Sequence, residues 1–371
     1  MTRKKENISG WLNVYKPYGM TSMQATAKAR WLLNAAKAGH AGTLDPLATG
    51  VLPIAFGEAT KLIPLLHAVE QEQNKTYRFT VQWGTQTSTD DAEGQIIATS
   101  PHRPTREQIE SALKDFTGTI TQVPPAFSAI KVNGQRAYAA ARKGEDVTIP
   151  PRQITITSFW LLETMDDDSI LPGADESTSS PFILSKDKGG GRPPLYQGVA
   201  LPTPSLDSHN ASEGREARLP ENKAGNSTNH SHFEVICQTG TYIRALARDL
   251  ALFLGTVGHC TRIIRTKVGA FEAKDTILLD SLEQMPYESR LTILRPLAFG
   301  LDDIPALAIT ETEAQDLRRG QGVSFLSLTN ASRLPQPAPA GPLLAMHGDR
   351  LIAVCRFEGG VLRPVRVMNH S

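Results

Sequence analysis

Cysteine is scarce in this sequence, and its few cysteines carry no pairing pattern. The 371 residues contain three of them, Cys237, Cys260 and Cys355, which lie far apart and form no C-x-x-C pair. An odd number of widely spaced cysteines argues against a disulfide framework and against a zinc site. We therefore expect three buried or bystander thiols.

Long apolar runs are also missing. No stretch of the chain approaches the roughly 18 continuous apolar residues that a membrane helix needs. The first residues, MTRKKENISGW, are charged and are not followed by the apolar core of a signal peptide. Clusters with metal-ligand spacing, G-x-G-x-x-G strings and P-loop strings are absent too. These absences predict a cytoplasmic protein with no membrane partner, and no motif indicates a metal or nucleotide site.

One long segment, residues 166–230, differs in composition from the rest of the chain. It is rich in Asp, Ser, Gly, Pro and Asn and carries a net charge of −4, which leaves +5 on the remainder. A segment without a sustained apolar period cannot bury enough surface to offset its ordering entropy. We therefore predict a mostly disordered insertion. The mildly basic remainder permits a nucleic-acid partner without demanding one.

Hydrophobic periodicity predicts helices and strands on both sides of this segment. The predicted elements are a helix over 21–36 capped by Thr21 or Ser22, a strand over 77–83, a helix opened by Thr105 and Gln108, a strand over 233–238 and a helix over 241–255. Strands and helices that alternate irregularly are typical of an α+β fold with a mixed or antiparallel sheet.

Near residue 300 the pattern becomes β-rich. Thr310 and Glu313 are placed to cap a short helix that ends at Gly320. Apolar runs follow at 343–347, 351–357 and 361–367, and Gly-Asp and Gly-Gly turns separate them. This predicts a small β-rich C-terminal domain.

An isolated acid stands out in GHAGTLDPLATGVLP, residues 39–53. Asp45 is the only carboxylate in this apolar, turn-rich run. Burying a carboxylate costs several kcal/mol unless another group pairs with it. An Asp-Pro pair alone would most simply start a turn. However, Gly42 and Gly50 would also let a ligand or another backbone approach closely.

Five segments together resemble the TruB family of tRNA pseudouridine synthases. They are LNVYKPYGMTS (12–22), GHAGTLDPLATGVLPIAFGEATKL (39–62), KTYRFTVQWGTQTSTDDAEG (75–94), PPAFSAIKVNGQRAYAAARKG (124–144) and GTYIRALARDL (240–250). The fourth is similar to the region that clamps the substrate in that family. The segments cover most of residues 10–270 in the family's order, although Trp83 stands where leucine is commoner. The resemblance does not cover 166–230.

The resemblance implies a division of the chain. We expect an N-terminal tail over 1–9 and a pseudouridine-synthase catalytic domain over 10–165 and 231–298, with the insertion over 166–230 between its parts. The remaining residues, 299–371, resemble an RNA-binding PUA-like domain in their position and strand pattern. The predicted fold class is therefore α+β with a mixed or antiparallel sheet plus this β-rich domain.

The resemblance also implies roles for individual residues. It makes Asp45 the catalytic group and Arg244 the arginine that pairs with it. A guanidinium keeps a desolvated carboxylate ionised, and its planar fork could hold both carboxylate oxygens. Tyr77 and Tyr242 would shape a uracil pocket, and His40 would help to displace the base. The residues alone leave open a surface arginine, a core tyrosine and a structural histidine.

Contacts to the RNA backbone need basic side chains. The candidates are Lys61, Arg78, Lys131, Arg136, Arg142, Lys143 and Arg152, although each could be only a solvated charge. Lys16 and Pro17 are interpreted as scaffold for the Asp45 loop.

The activity implied is isomerisation of uridine-55 in the T arm of tRNA, without a cofactor, a metal or an obligate protein partner. We considered an RNA-guided synthase in a multi-protein particle and an RNA-binding or RNA-folding protein with an idle site. A glycoside hydrolase, which normally uses two carboxylates, is a further alternative.

Overall fold

The computed structural model describes residues 4–69, 75–128, 130–132, 135–137, 148–163, 165, 229–326, 332–335 and 340–369. The predicted insertion therefore lies almost wholly outside the described residues. Its last two positions, 229 and 230, are described, and the second begins a strand.

The described residues form the following elements. The strands are β1 Gly10–Lys16, β2 Ala38–His40, β3 Ala48–Phe56, β4 Lys75–Trp83, β5 Thr85–Thr87, β6 Ile96–Thr99, β7 Gly118–Gln122, β8 Lys131–Val132, β9 Gln135–Arg136, β10 Arg152–Leu162, β11 His230–Cys237, β12 Gly258–Val268, β13 Phe271–Glu272, β14 Ile277–Leu278, β15 Ala306–Ala308, β16 Val323–Ser324, β17 Pro342–His347, β18 Arg350–Glu358 and β19 Val361–Val367. The helices are α1 Ser22–Leu32, α2 Ile63–Val69, α3 Arg106–Ala112, α4 Ile243–Phe253, α5 Leu279–Gln284, α6 Tyr287–Thr292 and α7 Glu311–Arg318.

A large mixed sheet organises the first part of the chain. Its strand order is β14-β1-β3-β12-β4-β11-β10-β7, with β2 beside β3 and β13 beside β12. The β1–β14 and β3–β12 pairs are parallel and the other pairs are antiparallel. The predicted α+β architecture with a mixed sheet is thus confirmed.

Strand β4 runs through the middle of this sheet. Its alternating side chains Tyr77, Phe79, Val81 and Trp83 are all buried, as their period-two spacing predicts. Phe79 stacks on Phe233 of β11, with ring centroids 5.3 Å apart. The strand predicted over 233–238 begins three residues earlier, at His230, because its backbone continues the ladder to Gln82 of β4.

The two long helices follow their sequence signals closely. Helix α1 starts at the predicted cap, since Thr21 and Gln24 form a capping box. It ends four residues before the predicted position 36, because Asn34 adopts a positive φ of 49°. Helix α4 occupies 243–253 of the predicted 241–255, and Gly255 follows it with φ 71°. Leu246 and Leu250 lie on its fully buried face.

The C-terminal region forms a five-stranded sheet in the order β15-β17-β18-β19-β16. The predicted capping box of Thr310 and Glu313 opens α7, and the predicted Gly-Asp and Gly-Gly turns connect the last three strands. This sheet packs on the first part of the chain. The Lys61 ammonium donates to the Val367 carbonyl at 3.0 Å, and the Asn369 amide donates to Glu58 at 2.7 Å.

Candidate active site

The loop that carries Asp45 connects β2 to β3 and is held by two residues from elsewhere in the chain, Ser22 and Arg265. The Ser22 hydroxyl donates to the Leu44 carbonyl at 3.0 Å and accepts from the Leu44 amide at 2.8 Å. Arg265 of β12 donates to the carbonyls of Gly42 and Val51 at 3.1 and 2.8 Å. These contacts fix the backbone on both sides of the acid.

Gly50 explains how β3 can lie against Arg265. Its φ is 103°, a conformation that side chains disfavour, and a Cβ atom there would stand 2.2 Å from the Arg265 carbonyl oxygen. Any other residue would push β3 away from β12. Because Arg265 also holds the Asp45 loop, this glycine is part of the geometry of the site.

Asp45 forms an ion pair with a buried arginine. The Arg244 Nη2 lies 2.9 Å from Asp45 Oδ2. The Arg244 side chain is only 5% exposed, whereas that of Asp45 is 38% exposed. The acid is therefore paired on one side and open to a ligand on the other. This pairing explains how a carboxylate can stand among apolar residues.

The guanidinium of Arg244 divides its two arms between two acids. Nη1 lies 3.0 Å from Asp91 Oδ2, while Nη2 takes Asp45. The arms also donate to the Thr89 and Phe127 carbonyls at 3.0 and 2.9 Å. The guanidinium therefore does not hold both oxygens of Asp45, in contrast to the geometry suggested from the sequence. Although desolvation opposes it, the two carboxylates raise the pKa of Arg244, so the arginine stays charged.

A cavity of about 260 Å³ opens beside this pair. Asp45, Tyr77, Arg152, Tyr242 and Arg244 are among its lining residues. The Arg152 guanidinium stands 4.8 Å from the centre of the Tyr242 ring and donates to the Gly240 carbonyl. The cavity therefore combines one carboxylate and two tyrosine rings with four buried or half-buried basic side chains, those of Lys75, Arg152, Arg244 and Arg265.

Comparison with known proteins decides the family. Residues 30–172 match the family described as TruB family pseudouridylate synthase, N-terminal domain. The tRNA pseudouridine synthase B of Caulobacter vibrioides is 40% identical over 372 residues, which span 99% of both chains. That of Rhodopseudomonas palustris is 39% identical over 99% of this chain and 82% of its own.

The chain belongs to the TruB family of pseudouridylate synthases. Solved structures similar to it include an H/ACA RNP bound to a substrate RNA containing 2'-deoxyuridine, with TM-score 0.58 and 17% identity over 97% of this chain and 85% of that one. A Cbf5-Nop10-Gar1 complex gives TM-score 0.58 and 19% identity over 96% and 84%. These likenesses confirm the predicted pseudouridine-synthase fold.

The predicted site residues of this TruB-family chain are not all brought together. Asp45, Arg244, Tyr77 and Tyr242 share the cavity, whereas His40 is not among its lining residues. His40 lies on β2 beside Ile54 of β3. Burial, together with the charge of Arg265, lowers the pKa of the His40 imidazole, so it is neutral at physiological pH.

The RNA-backbone candidates are scattered. Lys61 pairs with Glu58 at 2.6 Å and Arg78 with Glu234 at 2.7 Å, so both make contacts within the protein. Of the remaining candidates, Lys131 and Arg136 pair through their backbones in the β8–β9 hairpin, Arg142 and Lys143 lie outside the described residues, and Arg152 lines the cavity.

Sequence reasoning missed the acid that shares Arg244. Asp91 is 4% exposed and lies in STDDAEG, a turn after β5. The available signal was its position: two consecutive acids shortly after the predicted strand 77–83, in a segment that already resembled the family. Sequence reasoning also gave no role to Arg265, one of three basic Arg and Lys residues in β12 and the one that is almost completely buried.

Lys16, interpreted from the sequence as scaffold, is completely buried beside the Asp45 loop. Its ammonium donates to three carbonyl oxygens, those of Pro17 at 2.9 Å, Met20 at 2.6 Å and Pro46 at 3.2 Å. Burial lowers the pKa of Lys16 to about 8, with Asp45 opposing and Arg265 adding to the shift. It therefore ties the β1–α1 connection to the turn that follows Asp45.

This burial predicts a pH-dependent stability. Between pH 8 and 10.5 the unfolded chain holds the Lys16 proton more tightly than the folded one, so stability from this group rises with pH. Across this window, we expect the free energy of unfolding of the wild type to rise relative to that of Lys16→Met by on the order of 2–3 kcal/mol. Denaturant unfolding of both proteins from pH 7 to 10.5 measures it. A constant difference would contradict the prediction.

The described residues show neither a metal-binding cluster nor a membrane-spanning helix. Within them, no group of three or more His, Cys, Asp and Glu side chains could hold a metal ion. No helix in that part of the chain is long and apolar enough to cross a membrane. The three cysteines are free and buried, as expected from their spacing.

Proposed function

We propose that this protein is a tRNA pseudouridine synthase that isomerises uridine-55 in the T arm, in the cytoplasm and without an obligate protein partner. The observation that carries the proposal is the Asp45–Arg244 pair, 2.9 Å apart at the edge of a cavity with two tyrosines. Support comes from relatives that match nearly the whole chain and are named tRNA pseudouridine synthase B.

The proposed reaction is an isomerisation with no net loss or gain of atoms. The bond between C1′ of the ribose and N1 of uracil breaks, the base turns, and C5 forms a new bond to C1′. The proton that leaves C5 is balanced by the one that N1 gains. No redox equivalent or nucleotide is consumed, so the chemistry itself requires no cofactor.

Asp45 is the proposed catalytic residue. Its carboxylate can act as a nucleophile or as a base, because Arg244 offsets the cost of holding the charge at the edge of an apolar wall. Its side chain is 38% exposed, so the carboxylate remains accessible to a substrate in the cavity. The geometry is compatible with attack on the sugar, attack on the base or removal of a sugar proton.

Tyr77 and Tyr242 are the proposed walls of the uracil pocket. A base inside an RNA stem must leave its stack to reach a carboxylate at the edge of a cavity. Stacking on an aromatic ring returns about 1–3 kcal/mol per base. Tyr77 stands at the start of β4, and Tyr242 is fixed because the Gln122 side chain accepts from its amide at 2.9 Å and donates to its carbonyl at 3.1 Å. The rings can therefore receive the flipped base.

The test is incubation of the purified chain with an unmodified tRNA transcript, followed by mapping of pseudouridine. We expect conversion at position 55 and none in a transcript with cytidine at that position. An RNA-guided synthase would instead require added guide RNA and partner proteins. An RNA-binding protein with an idle site would bind the transcript without converting it. Either result would contradict the proposal.

The segment from 166 to 228 offers a further prediction. Its composition predicts a mostly disordered insertion, and we expect the chemistry not to depend on it. Because β11 begins only at His230, a replacement should keep residues 229 and 230. We expect a short Gly/Ser linker in place of 166–228 to change the single-turnover rate by less than about tenfold, or about 1.4 kcal/mol in barrier height. A larger loss on tRNA transcript would show that the segment shapes the site.

A further inference from the structure

A second arginine lies one helical turn beyond Arg244 and makes a matching set of contacts. Arg248 Nη1 lies 2.9 Å from Asp90 Oδ2, and its Nη2 donates to the Val123 carbonyl at 2.7 Å. Its Nε and Nη2 also lie 2.8 Å from Oδ1 of the adjacent Asp249. Residues four apart on a helix share a face, so both arginines of α4 point to the same neighbours. Arg244 holds Asp91 and the Phe127 carbonyl in the same way.

The two arginines thus bind two consecutive acids and both ends of one loop. The acids are Asp90 and Asp91, and the loop spans 123–127, the beginning of the segment similar to the substrate-clamping region of the family. Asp90 adopts a positive φ of 59°, which is uncommon for a residue with a side chain. That conformation allows consecutive side chains to reach the same helix face, and the Cys260 amide secures it by donating to the Asp90 carbonyl at 3.0 Å.

The pair is shielded enough to have a defined geometry. The side chains of Arg248 and Asp90 are 16% and 10% exposed. An exposed ion pair contributes little to structure, but a shielded one that also holds a backbone carbonyl restricts every element that it joins. The three elements joined here are helix α4, the turn after β5 and the 123–127 loop.

Given the proposed function, on which this step rests, we infer that Arg248 and Asp90 form a positioning pair for the reaction. They hold the turn and the 123–127 loop so that Asp91 and the Phe127 carbonyl take fixed places on Arg244. Nη2 of Arg244, which donates to the Phe127 carbonyl, is then also directed at Asp45. Neither residue of the pair lines the cavity, so both act through Arg244 rather than on the substrate.

The experiment compares Arg248→Met, Arg248→Lys and Asp90→Asn with the wild-type full-length chain. We expect the single-turnover rate of Arg248→Met at saturating tRNA transcript to fall by about tenfold to a hundredfold, because an error on the order of 1 Å at the reacting group has that effect. Arg248→Lys should lose less, since an ammonium can keep Asp90 but cannot also reach the Val123 carbonyl. Affinity for the transcript should stay within about twofold of wild type, because backbone contacts supply it.

Two further comparisons separate positioning from a general effect on stability. The double variant Arg248→Met with Asp90→Asn should react within about twofold of Arg248→Met, because residues of one pair are not additive. The matched control is Arg106→Met, which breaks the exposed ion pair of Arg106 with Glu110 on α3 and should keep the wild-type rate. A wild-type rate in Arg248→Met, or a rate loss explained by weaker binding or by unfolded protein, would overturn the inference.

Hydrogen exchange gives a readout that does not depend on activity. Arg248→Met should speed amide exchange in 88–91 and 123–128, whereas Arg106→Met should not. If the wild-type chain does not convert the transcript, the proposed function fails, and this measurement still tests the pair. Unchanged exchange in both segments would show that Arg248 does not position them.

Discussion

Asp45→Asn is expected to abolish pseudouridine formation while leaving the protein folded and able to bind tRNA. An amide can neither attack as a nucleophile nor accept a proton as a carboxylate does. Loss of one member of a catalytic group lowers kcat by about 10⁴–10⁶-fold. The single-turnover rate on tRNA transcript measures the effect, and a binding assay on the same protein should give an affinity within a few-fold of wild type.

The structure explains why this variant should fold. Arg244 keeps Asp91 at 3.0 Å and two backbone carbonyls after Asp45 loses its charge, so no cation is left buried alone. The matched control is the same substitution at Asp280, whose side chain is 82% exposed. Substantial turnover by purified Asp45→Asn, with that control at the wild-type rate, would refute the catalytic assignment.

The parts of the fold that could be predicted from the sequence are those set by local pattern. The alternation in β4, the capping boxes of Thr21, Thr105 and Thr310, and the apolar face of α4 all depend on residues a few positions apart. Errors arose at the ends of elements. Helix α1 stops where Asn34 takes a positive φ, and no period in the sequence encodes that single residue's conformation.

The candidate site was only partly predictable, because most of its contacts join distant residues. Asp45 and Arg244 were linked by resemblance rather than by any periodicity. Asp91 contacts Arg244 across 153 positions, and nothing local to STDDAEG shows which of its acids contacts Arg244. Lys61 was interpreted as a candidate for RNA contact on its charge alone, yet it reaches the Val367 carbonyl 306 positions away. Basic residues in a sequence do not reveal which of them tertiary structure has already engaged.

Arg244→Lys is the second substitution expected to have a large effect. The native guanidinium contacts two carboxylates and two carbonyls with two arms about 3 Å from each partner, and a lysine offers one ammonium on a flexible stem. An ammonium can neutralise the nearby acids but cannot span Asp45 and Asp91 in one geometry. We therefore expect Arg244→Lys to keep the positive charge but to leave the Asp45 carboxylate misplaced for reaction.

The expected loss in single-turnover rate for Arg244→Lys is about a hundredfold, the effect of a misplacement on the order of 1 Å. Stability should fall as well, by about 1–3 kcal/mol, because the Thr89 or Phe127 carbonyl loses a buried donor. The rate must therefore be measured at a temperature where thermal unfolding shows the variant to be folded, with Arg106→Lys at an exposed position as the control. If folded Arg244→Lys reacts at nearly the wild-type rate, charge alone keeps Asp45 active. The division of one planar fork between two acids would then have no catalytic consequence.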